Sequence, residues 1–173
     1  MRNQQVFVIN KVLYFFGPIN RRNANTFVKH MLVYNPKKIV LSSEGGLVTE
    51  AVKMCETIRL SSNINIQVQG AACSAATFIL ASATGKRSMT RHSHLMYHLP
   101  YTSDENSSKN SLCHHACIEE LSFLETLLKP ILLNRNSNNK KALDFYQKFT
   151  TNNKDFYLTA KEALDIGLID KIV

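Results

Sequence analysis

A serine set among small residues is the first feature of this sequence that could do chemistry. Ser74 lies in the run Gly-Ala-Ala-Cys-Ser-Ala-Ala, residues 70–76. Alternating strand-like residues, 64–69, precede this run, and the apolar run 77–83 that follows is typical of a buried helix. Ser74 is therefore predicted at a strand-to-helix turn, where unpaired backbone N–H groups favour developing negative charge. A plain helix N-cap is the alternative role, because serine is a preferred capping residue.

His98 is the second candidate for chemistry. It ends a predicted short strand just before a Leu-Pro pair, which places its imidazole at the edge of a cleft. Imidazole titrates near neutral pH, as a general base requires. His92 and His94 are predicted to lie in the preceding turn, exposed to solvent. For each histidine, a purely structural role is the alternative.

Gly45 and Gly46 follow a predicted short buried strand, 39–41. They either supply positive φ and close packing or present a backbone N–H that holds an oxyanion. The pair is not a phosphate loop, because neither GxGxxG nor GxxxxGK[ST] occurs in the chain. Gly70 is predicted to end the next strand. Both glycine turns are therefore expected at the carboxyl ends of parallel strands, on one edge of the sheet.

Hydrophobic periodicity predicts alternating strands and helices, and hence an α/β protein of parallel βαβ units in one domain, residues 1–173. The predicted strands are 6–9, 12–16, 39–41, 64–69, 88–90, 94–98, 155–158 and 168–173. The predicted helices are 23–34, 47–60, the segment after Ser74, 111–133, 138–152 and one that begins at Thr159. Thr159 and Glu162 form a capping box, and Gly167 is predicted to end the helix that they start.

Composition excludes several classes of protein. No apolar run is long enough to span a membrane, and the first residues lack the apolar core of a signal peptide. The net charge is +8, but the basic residues are scattered pairs without interleaved aromatic residues, which indicates a solvated surface rather than a nucleic-acid interface. The four cysteines, at 55, 73, 113 and 117, are predicted to be reduced thiols of an intracellular protein.

The Cys113-His114-His115-x-Cys117 run is the one candidate metal cluster in the sequence. On the predicted helix, the two cysteines share a face with neither histidine fully aligned, and no second ligand pair follows at the spacing of a zinc site. We therefore expect no metal and no cofactor.

Four blocks in order resemble the Clp protease proteolytic subunit, ClpP. These blocks are Ser-Ser-Glu-Gly-Gly (42–46), Gly-Ala-Ala-Cys-Ser-Ala-Ala (70–76), the stretch 85–100 that ends in Met-Tyr-His-Leu-Pro, and the closing stretch 155–170. The resemblance extends from Val12 to Val173. It implies the ClpP/crotonase-like fold of stacked ββα units, with a protruding long handle helix in a handle region of about residues 101–137.

The resemblance also implies a serine endopeptidase. Its catalytic triad would be Ser74, His98 and Asp155, and the backbone N–H groups of Gly46 and Ala75 would form the oxyanion hole. Rival groups are the Cys73 thiol and three aspartates. The aspartates are Asp144, on a helix that looks surface-facing, and Asp165 and Asp170, in the closing helix and strand.

The chain departs from the family pattern in two places. Glu44 stands where the family has proline before its glycine pair, which brings a carboxylate near the cleft. After Leu99-Pro100, the polar segment 101–106 replaces the glycine-rich strand that pairs with the substrate backbone.

The resemblance implies an unfolded polypeptide or peptide as substrate, and self-association into heptameric rings that stack in pairs, with the wide apolar face of helix 111–133 at the ring contact. A paralogous subunit is a further expected partner. Little chain precedes the strand that begins at Val12, so docking to an AAA+ unfoldase stays an open expectation. The expected location is the cytoplasm, or an organelle stroma or matrix.

Two alternatives remain. A non-catalytic or weakly active structural subunit of a mixed Clp ring would account for the altered substrate segment, although it has no need of a complete Ser/His/Asp set. A crotonase-like acyl-CoA enzyme would account for paired oxyanion donors but not for that set.

Overall fold

The computed structural model describes residues 5–98, 126, 129, 140–151 and 154–173. These residues form eight strands and five helices. The strands are β1 (Val6–Ile9), β2 (Val12–Phe16), β3 (Lys38–Ser43), β4 (Asn65–Cys73), β5 (Arg87–Met89), β6 (His94–Tyr97), β7 (Phe156–Thr159) and β8 (Lys171–Ile172). The helices are α1 (Arg21–Tyr34), α2 (Val48–Arg59), α3 (Ala75–Ala81), α4 (Lys140–Thr151) and α5 (Ala160–Ile166).

All eight strands belong to one sheet, whose main path is β1-β2-β3-β4-β5-β8. β1 is antiparallel to β2, and the remaining neighbours on this path are parallel. Helices connect the parallel strands, as parallel pairing requires. The α/β class and the parallel units predicted from the alternation of elements are confirmed.

Strand β4 changes partners along its length. Its first half pairs with β5, whereas Ala71–Cys73 pair with β6, which in turn is antiparallel to β7. An irregularity separates the halves: opposite β3, the register moves from Leu41 with Val68 to Ser43 with Ala72. Gly70 lies at this irregularity with φ of 87°, a conformation that favours glycine.

Gly70 therefore lies inside β4, and the prediction that it ends the strand was wrong. The strand resumes because the irregularity transfers it to a new neighbour. The Ser93 hydroxyl stabilises the irregular backbone: it accepts a hydrogen bond from the Gly70 N–H (2.9 Å) and lies 3.2 Å from the Val68 carbonyl oxygen. The pairing of β4 with β6 joins residues more than twenty positions apart in the chain. The local hydrophobic periodicity used to predict strands contains no information about it.

The hydrophobic core lies between the sheet and the helices. Alternate residues of the central strands are fully buried, and the Phe15 and Phe27 rings of β2 and α1 pack edge-to-face, 6.0 Å apart. Each large side chain buried in this way contributes about 1.5–3 kcal/mol. At the other end of the sheet, a nearly buried ion pair joins Arg87 Nη2 to Asp170 Oδ1 (2.8 Å) and fastens β8 to β5.

The predicted element boundaries differ from the structure mainly at the ends of strands. The closing strand, predicted over 168–173, is Lys171–Ile172, and the strand predicted over 94–98 is His94–Tyr97, whose first residue, His94, is exposed as expected. The capping box of Thr159 and Glu162 and the left-handed cap at Gly167 are confirmed. Local hydrogen bonding determines such caps, so a short sequence window contains the whole signal.

Several predictions lie outside the described residues. They are the helix 111–133, apart from helical Thr126 and Lys129, the segment 101–106 and the Cys-His cluster at 113–117. Among the residues that the structure does describe, no helix has both the length and the apolar content needed to cross a membrane.

Candidate active site

Ser74 occupies a sharp turn between the end of β4 and the start of α3. Its φ is 52° and its ψ is −127°, a left-handed region that a residue with a side chain rarely adopts. The Ser74 N–H donates to the Met96 carbonyl (2.7 Å), and its own carbonyl accepts from the Thr77 N–H (3.0 Å). A serine held in such a strained strand-to-helix turn resembles a nucleophile elbow, which presents the hydroxyl at the sheet edge.

The plain N-cap role does not fit this geometry. Ser74 precedes α3, but its side chain makes no capping hydrogen bond, and a helix cap ordinarily has extended backbone angles. The Ser74 side chain is half-buried and the whole of α3 behind it is buried. The Ser74 hydroxyl is therefore available for another purpose.

Cys73, the rival nucleophile, lies in an unfavourable environment for thiolate chemistry. Burial raises the pKa of the Cys73 thiol, and the nearby Glu44 carboxylate raises it further. Reactive cysteines need the opposite shift, since the thiolate is the nucleophile.

The turn at Gly45 packs directly against the serine. A Cβ at Gly45 would lie 2.8 Å from Ser74 Cβ, 2.7 Å from the Cys73 carbonyl oxygen and 3.2 Å from the Ala75 nitrogen. The φ of Gly45 is 96°, so both the space and the backbone conformation require glycine here. The two glycine-bearing segments thus meet at one edge of the sheet, although Gly70 itself lies further back.

Two backbone N–H groups near this edge, those of Gly46 and Ala75, were predicted to form the oxyanion hole. Ile19 forms a parallel bridge with Gly46 that uses the Gly45 carbonyl and the Leu47 N–H, so the Gly46 N–H takes no part in it. The Ala75 N–H belongs to the first residue of α3, where an N–H has no intrahelical partner. Backbone N–H groups are the usual donors of an oxyanion hole, and the assignment of these two to one stays a prediction.

His98 and Asp155 leave the same end of neighbouring strands. In the antiparallel β6–β7 pair, the final register position joins Tyr97 to Phe156, and His98 and Asp155 are the next residues outward. β6 is also parallel to β4, whose last paired residue, Cys73, directly precedes Ser74. The register thus brings the backbones of all three predicted triad residues to one end of adjacent strands. His98 is half-buried and Asp155 is exposed.

Aromatic rings hold the residues that flank this pair. The Tyr97 ring packs edge-to-face on Phe145 of α4 (5.1 Å between centroids) and contacts Phe149 (5.7 Å). Phe145 also packs edge-to-face on Phe156 (6.3 Å). We call Tyr97, Phe145, Phe149 and Phe156 the aromatic cluster. It packs α4 against the two strand ends from which His98 and Asp155 emerge.

The other candidate residues lie elsewhere. His92 is exposed in the turn before β6, and His94 is exposed and lies near the Tyr157 ring. Asp144 is exposed on α4, as predicted, and Asp165 is exposed on α5. Asp170 is engaged by Arg87, as described above.

Glu44 lies beside the proposed site. It is exposed and lines a groove of about 370 Å³ together with Phe16, Gly17, Ser42 and Gln69. The groove adjoins the turn that contacts Ser74. A carboxylate near the cleft, expected from the sequence, is therefore present.

Sequence reasoning missed Thr77 and Tyr97. The Thr77 hydroxyl donates to the Ser74 carbonyl (2.7 Å). Burial raises the pKa of the Tyr97 phenol, whereas the charge of Arg87 and the nearby Thr77 hydroxyl act in the opposite direction. The available signal was a threonine three residues after Ser74, a spacing typical of contacts in a first helical turn.

Comparison with known proteins agrees with this architecture. A family model described as Clp protease matches residues 3–173. The ATP-dependent Clp protease proteolytic subunit 3 of Parasynechococcus marenigrum is 28% identical over 173 residues, covering 95% of this chain and 83% of the relative. Subunit 2 from Prochlorococcus marinus subsp. pastoris is 26% identical with the same coverage. The expected ClpP fold is confirmed, and the chain belongs to the Clp protease family.

Proposed function

We propose that this chain is a serine endopeptidase subunit of the Clp type, with Ser74 as nucleophile, His98 as general base and Asp155 as the group that orients His98. The observation that carries the proposal is the Ser74 turn. Ser74 has positive φ, makes no capping hydrogen bond and packs against Gly45. Such backbone strain destabilises the fold, and strained residues of this kind cluster at functional sites, which supports a catalytic role for the hydroxyl.

In the proposed reaction, His98 takes the proton of the Ser74 hydroxyl as its oxygen attacks the carbonyl carbon of the substrate peptide. Serine is a weak nucleophile without such a base. The Asp155 carboxylate holds the imidazole in the required tautomer and stabilises the imidazolium that forms. The emergence of His98 and Asp155 from one end of the β6–β7 pair supports this division of roles.

The attack leaves a negative charge on the former carbonyl oxygen. The Gly46 and Ala75 N–H groups would donate to this oxygen and so stabilise the tetrahedral intermediate. Loss of one such donor costs about 10²–10³-fold in rate in serine proteases. The intermediate expels the amine, which receives its proton from His98, and water then hydrolyses the acyl-enzyme by the same steps.

The proposal extends to assembly. As a Clp-type subunit, the chain would form heptameric rings that stack face to face and enclose unfolded polypeptide or peptide substrates. The relatives are named as numbered proteolytic subunits, which supports a paralogous subunit as a partner. An AAA+ unfoldase would deliver substrates, and the cytoplasm or an organelle stroma or matrix would be the location.

Fluorophosphonate labelling with an intact-mass readout tests the proposed chemistry. Wild-type protein should gain one adduct, and Ser74→Ala should gain none while keeping its assembly and melting temperature. Asp155→Asn should slow labelling by roughly 10²–10⁴-fold, because the imidazole loses its orienting anion. Asp165→Asn, a change of another exposed aspartate, is the matched control and should label like wild type.

An adduct on Ser74→Ala would assign the nucleophile to another residue and contradict the proposal. A wild type that takes no adduct, yet co-purifies with a second subunit, would favour the structural-subunit alternative. Stabilisation of the wild type by coenzyme A would favour the acyl-CoA alternative.

A further inference from the structure

The groove that contains Glu44 borders the turn that shapes the proposed nucleophile. Its volume is about 370 Å³, and Phe16, Ser42, Glu44 and Gln69 supply its side chains. These residues lie at the carboxyl ends of β2 and β3 and at the irregular part of β4. The groove therefore opens at the sheet edge that carries Ser74.

The irregularity of β4 leaves space in the groove beside Ser42. Across it, the register advances two positions in β3 but four in β4, so residues 69–71 stand opposite Ser42 alone. The middle residue of these three is Gly70, and a Cβ there would lie 3.1 Å from Ser42 Oγ. Because glycine has no side chain, the space beside the Ser42 hydroxyl stays open.

The aromatic residue that lines the groove is held in place by two others. The Phe16 ring packs edge-to-face on Phe7 (6.0 Å between centroids) and on Tyr14 (5.8 Å). The Phe16 N–H also donates to the Gln5 carbonyl (2.7 Å), which fixes the end of β2. The groove is therefore preformed. An aromatic wall suits a basic side chain, whose aliphatic stem packs on apolar surface and whose cation is attracted to a ring face.

Glu44 gives the groove its charge. It is exposed, and it takes part in none of the ion pairs formed among the residues that the structure describes. The other three side chains, those of Phe16, Ser42 and Gln69, are uncharged. The Ser42 hydroxyl and the Gln69 amide oxygen are further hydrogen-bond acceptors. The chemistry of this lining favours a cationic hydrogen-bond donor.

The charge of Glu44 also acts on the nucleophile turn. Gly45, the next residue, packs so closely that a Cβ there would lie 2.8 Å from Ser74 Cβ. Burial raises the pKa of the Cys73 thiol, directly before Ser74, and the Glu44 charge raises it further. A negative charge at this distance opposes the oxyanion that forms during attack. A cation bound in the groove would offset that repulsion.

We propose that Glu44 is a specificity-determining residue, and that the groove receives a lysine or arginine side chain of the substrate polypeptide. This inference rests on the proposed function. The Glu44 carboxylate pairs with the cationic head, and Phe16 contacts the aliphatic stem. Exposed ion pairs contribute little, so we expect a preference of about fivefold rather than an absolute requirement.

Peptides that differ at one residue test this specificity. A fluorogenic series carries lysine, methionine or glutamate at one position, which is moved in turn along the residues that flank the cleaved bond. At the position that occupies the groove, kcat/KM of the wild type should be about fivefold higher for the lysine peptide than for the methionine peptide, and lowest for the glutamate peptide. Higher salt should narrow these ratios, because ions screen an exposed pair.

Variants of Glu44 assign the preference to its charge. Glu44→Gln removes the charge at nearly constant volume and should bring the lysine-to-methionine ratio close to one. Glu44→Lys should reverse the order, so that the glutamate peptide is cleaved fastest. Glu56→Gln, on the exposed face of α2 and outside the groove, is the matched control. It changes the net charge equally and should keep the wild-type ratio.

The outcomes separate this inference from the function on which it rests. A wild type that cleaves the three peptides equally, or a Glu44→Gln with the wild-type ratio, would overturn the specificity role alone. A Glu44→Gln that changes the mass of the assembly but not the ratio would assign the carboxylate to a contact between chains, which also overturns that role. A wild type that cleaves no peptide and takes no fluorophosphonate adduct would instead overturn the proposed function.

Discussion

The two sides of the proposed site are built by different means. Backbone packing forms the nucleophile side, where Gly45 leaves no room between itself and Ser74, and all of α3 is buried behind them. Side chains form the base side, where the aromatic cluster holds two short strands. Exposure does not follow this division, since His98 is half-buried like Ser74 and only Asp155 of the three is exposed.

This difference indicates which side of the site is easier to disturb. A backbone turn that is packed without free space cannot shift by a small amount. A substitution there should therefore abolish activity rather than reduce it gradually. Strand ends that are held by side-chain packing can shift by small amounts, so changes there should give graded losses. Three substitutions test this contrast.

Gly45→Ala should have the largest effect. The new methyl group would collide with the Ser74 turn, and alanine is strained at the φ of 96°. We expect fluorophosphonate labelling to fall by at least about 10²-fold, because a displaced nucleophile loses both its base and its oxyanion donors.

Gly17→Ala is the matched control for this prediction. Gly17 also has a positive φ, 114°, but a Cβ there would meet only the flexible end of the Gln5 side chain. Both variants carry backbone strain, and Gly45→Ala adds a steric clash with backbone atoms, so its melting temperature should fall further. Gly17→Ala should lose some stability and keep its labelling rate. Equal labelling of the two variants would contradict the idea that Gly45 shapes the nucleophile turn.

Phe145→Leu should have an intermediate, graded effect. It removes a ring that contacts both Tyr97 and Phe156, the residues next to His98 and Asp155. We expect a loss of about 1 kcal/mol in the free energy of unfolding and a several-fold lower kcat at unchanged KM.

Phe27→Leu provides the comparison for Phe145→Leu. Phe27 is a buried ring on α1 that packs edge-to-face on Phe15, away from the base side. A similar loss of stability with normal kcat is expected for Phe27→Leu. If both variants lost kcat equally, the aromatic cluster would have no particular role in the site.

The smallest effect concerns the capping box that follows β7. The Thr159 hydroxyl (2.7 Å) and N–H (2.8 Å) donate to Glu162 Oε2, and these hydrogen bonds hold the pKa of the Glu162 carboxyl below its usual value. A carboxyl whose pKa is lower in the folded state stabilises the fold above its unfolded pKa. That contribution disappears as the pH falls through the folded pKa.

Thermal unfolding at a series of pH values measures this contribution. Wild type should melt slightly above Glu162→Gln at neutral pH, and the gap should close as the pH falls through the lowered pKa of Glu162 in the folded state. Asp165→Asn, on the same helix, should show no such closing gap. A constant gap between wild type and Glu162→Gln would mean that the charge of Glu162 plays no part in the cap.

The sequence predicted those features whose causes are local. The α/β class, the position of Ser74 at a strand-to-helix turn and the Thr159–Glu162 cap follow from periodicity and from hydrogen bonds within a few residues. The change of partners at Gly70 was missed, because it depends on residues more than twenty positions apart. The assignment of Asp155 to the triad came from family resemblance and stays a prediction.

The close fit of Gly45 against Ser74 has a consequence for the newly made chain. The turn at Ser74 needs Gly45 from the turn that follows β3 and the Met96 carbonyl from the later strand β6. A nascent chain that ends before β6 therefore lacks the shaped nucleophile, however well its first strands have paired. Under the proposed function, the peptidase site therefore cannot form during synthesis until β6 has been made.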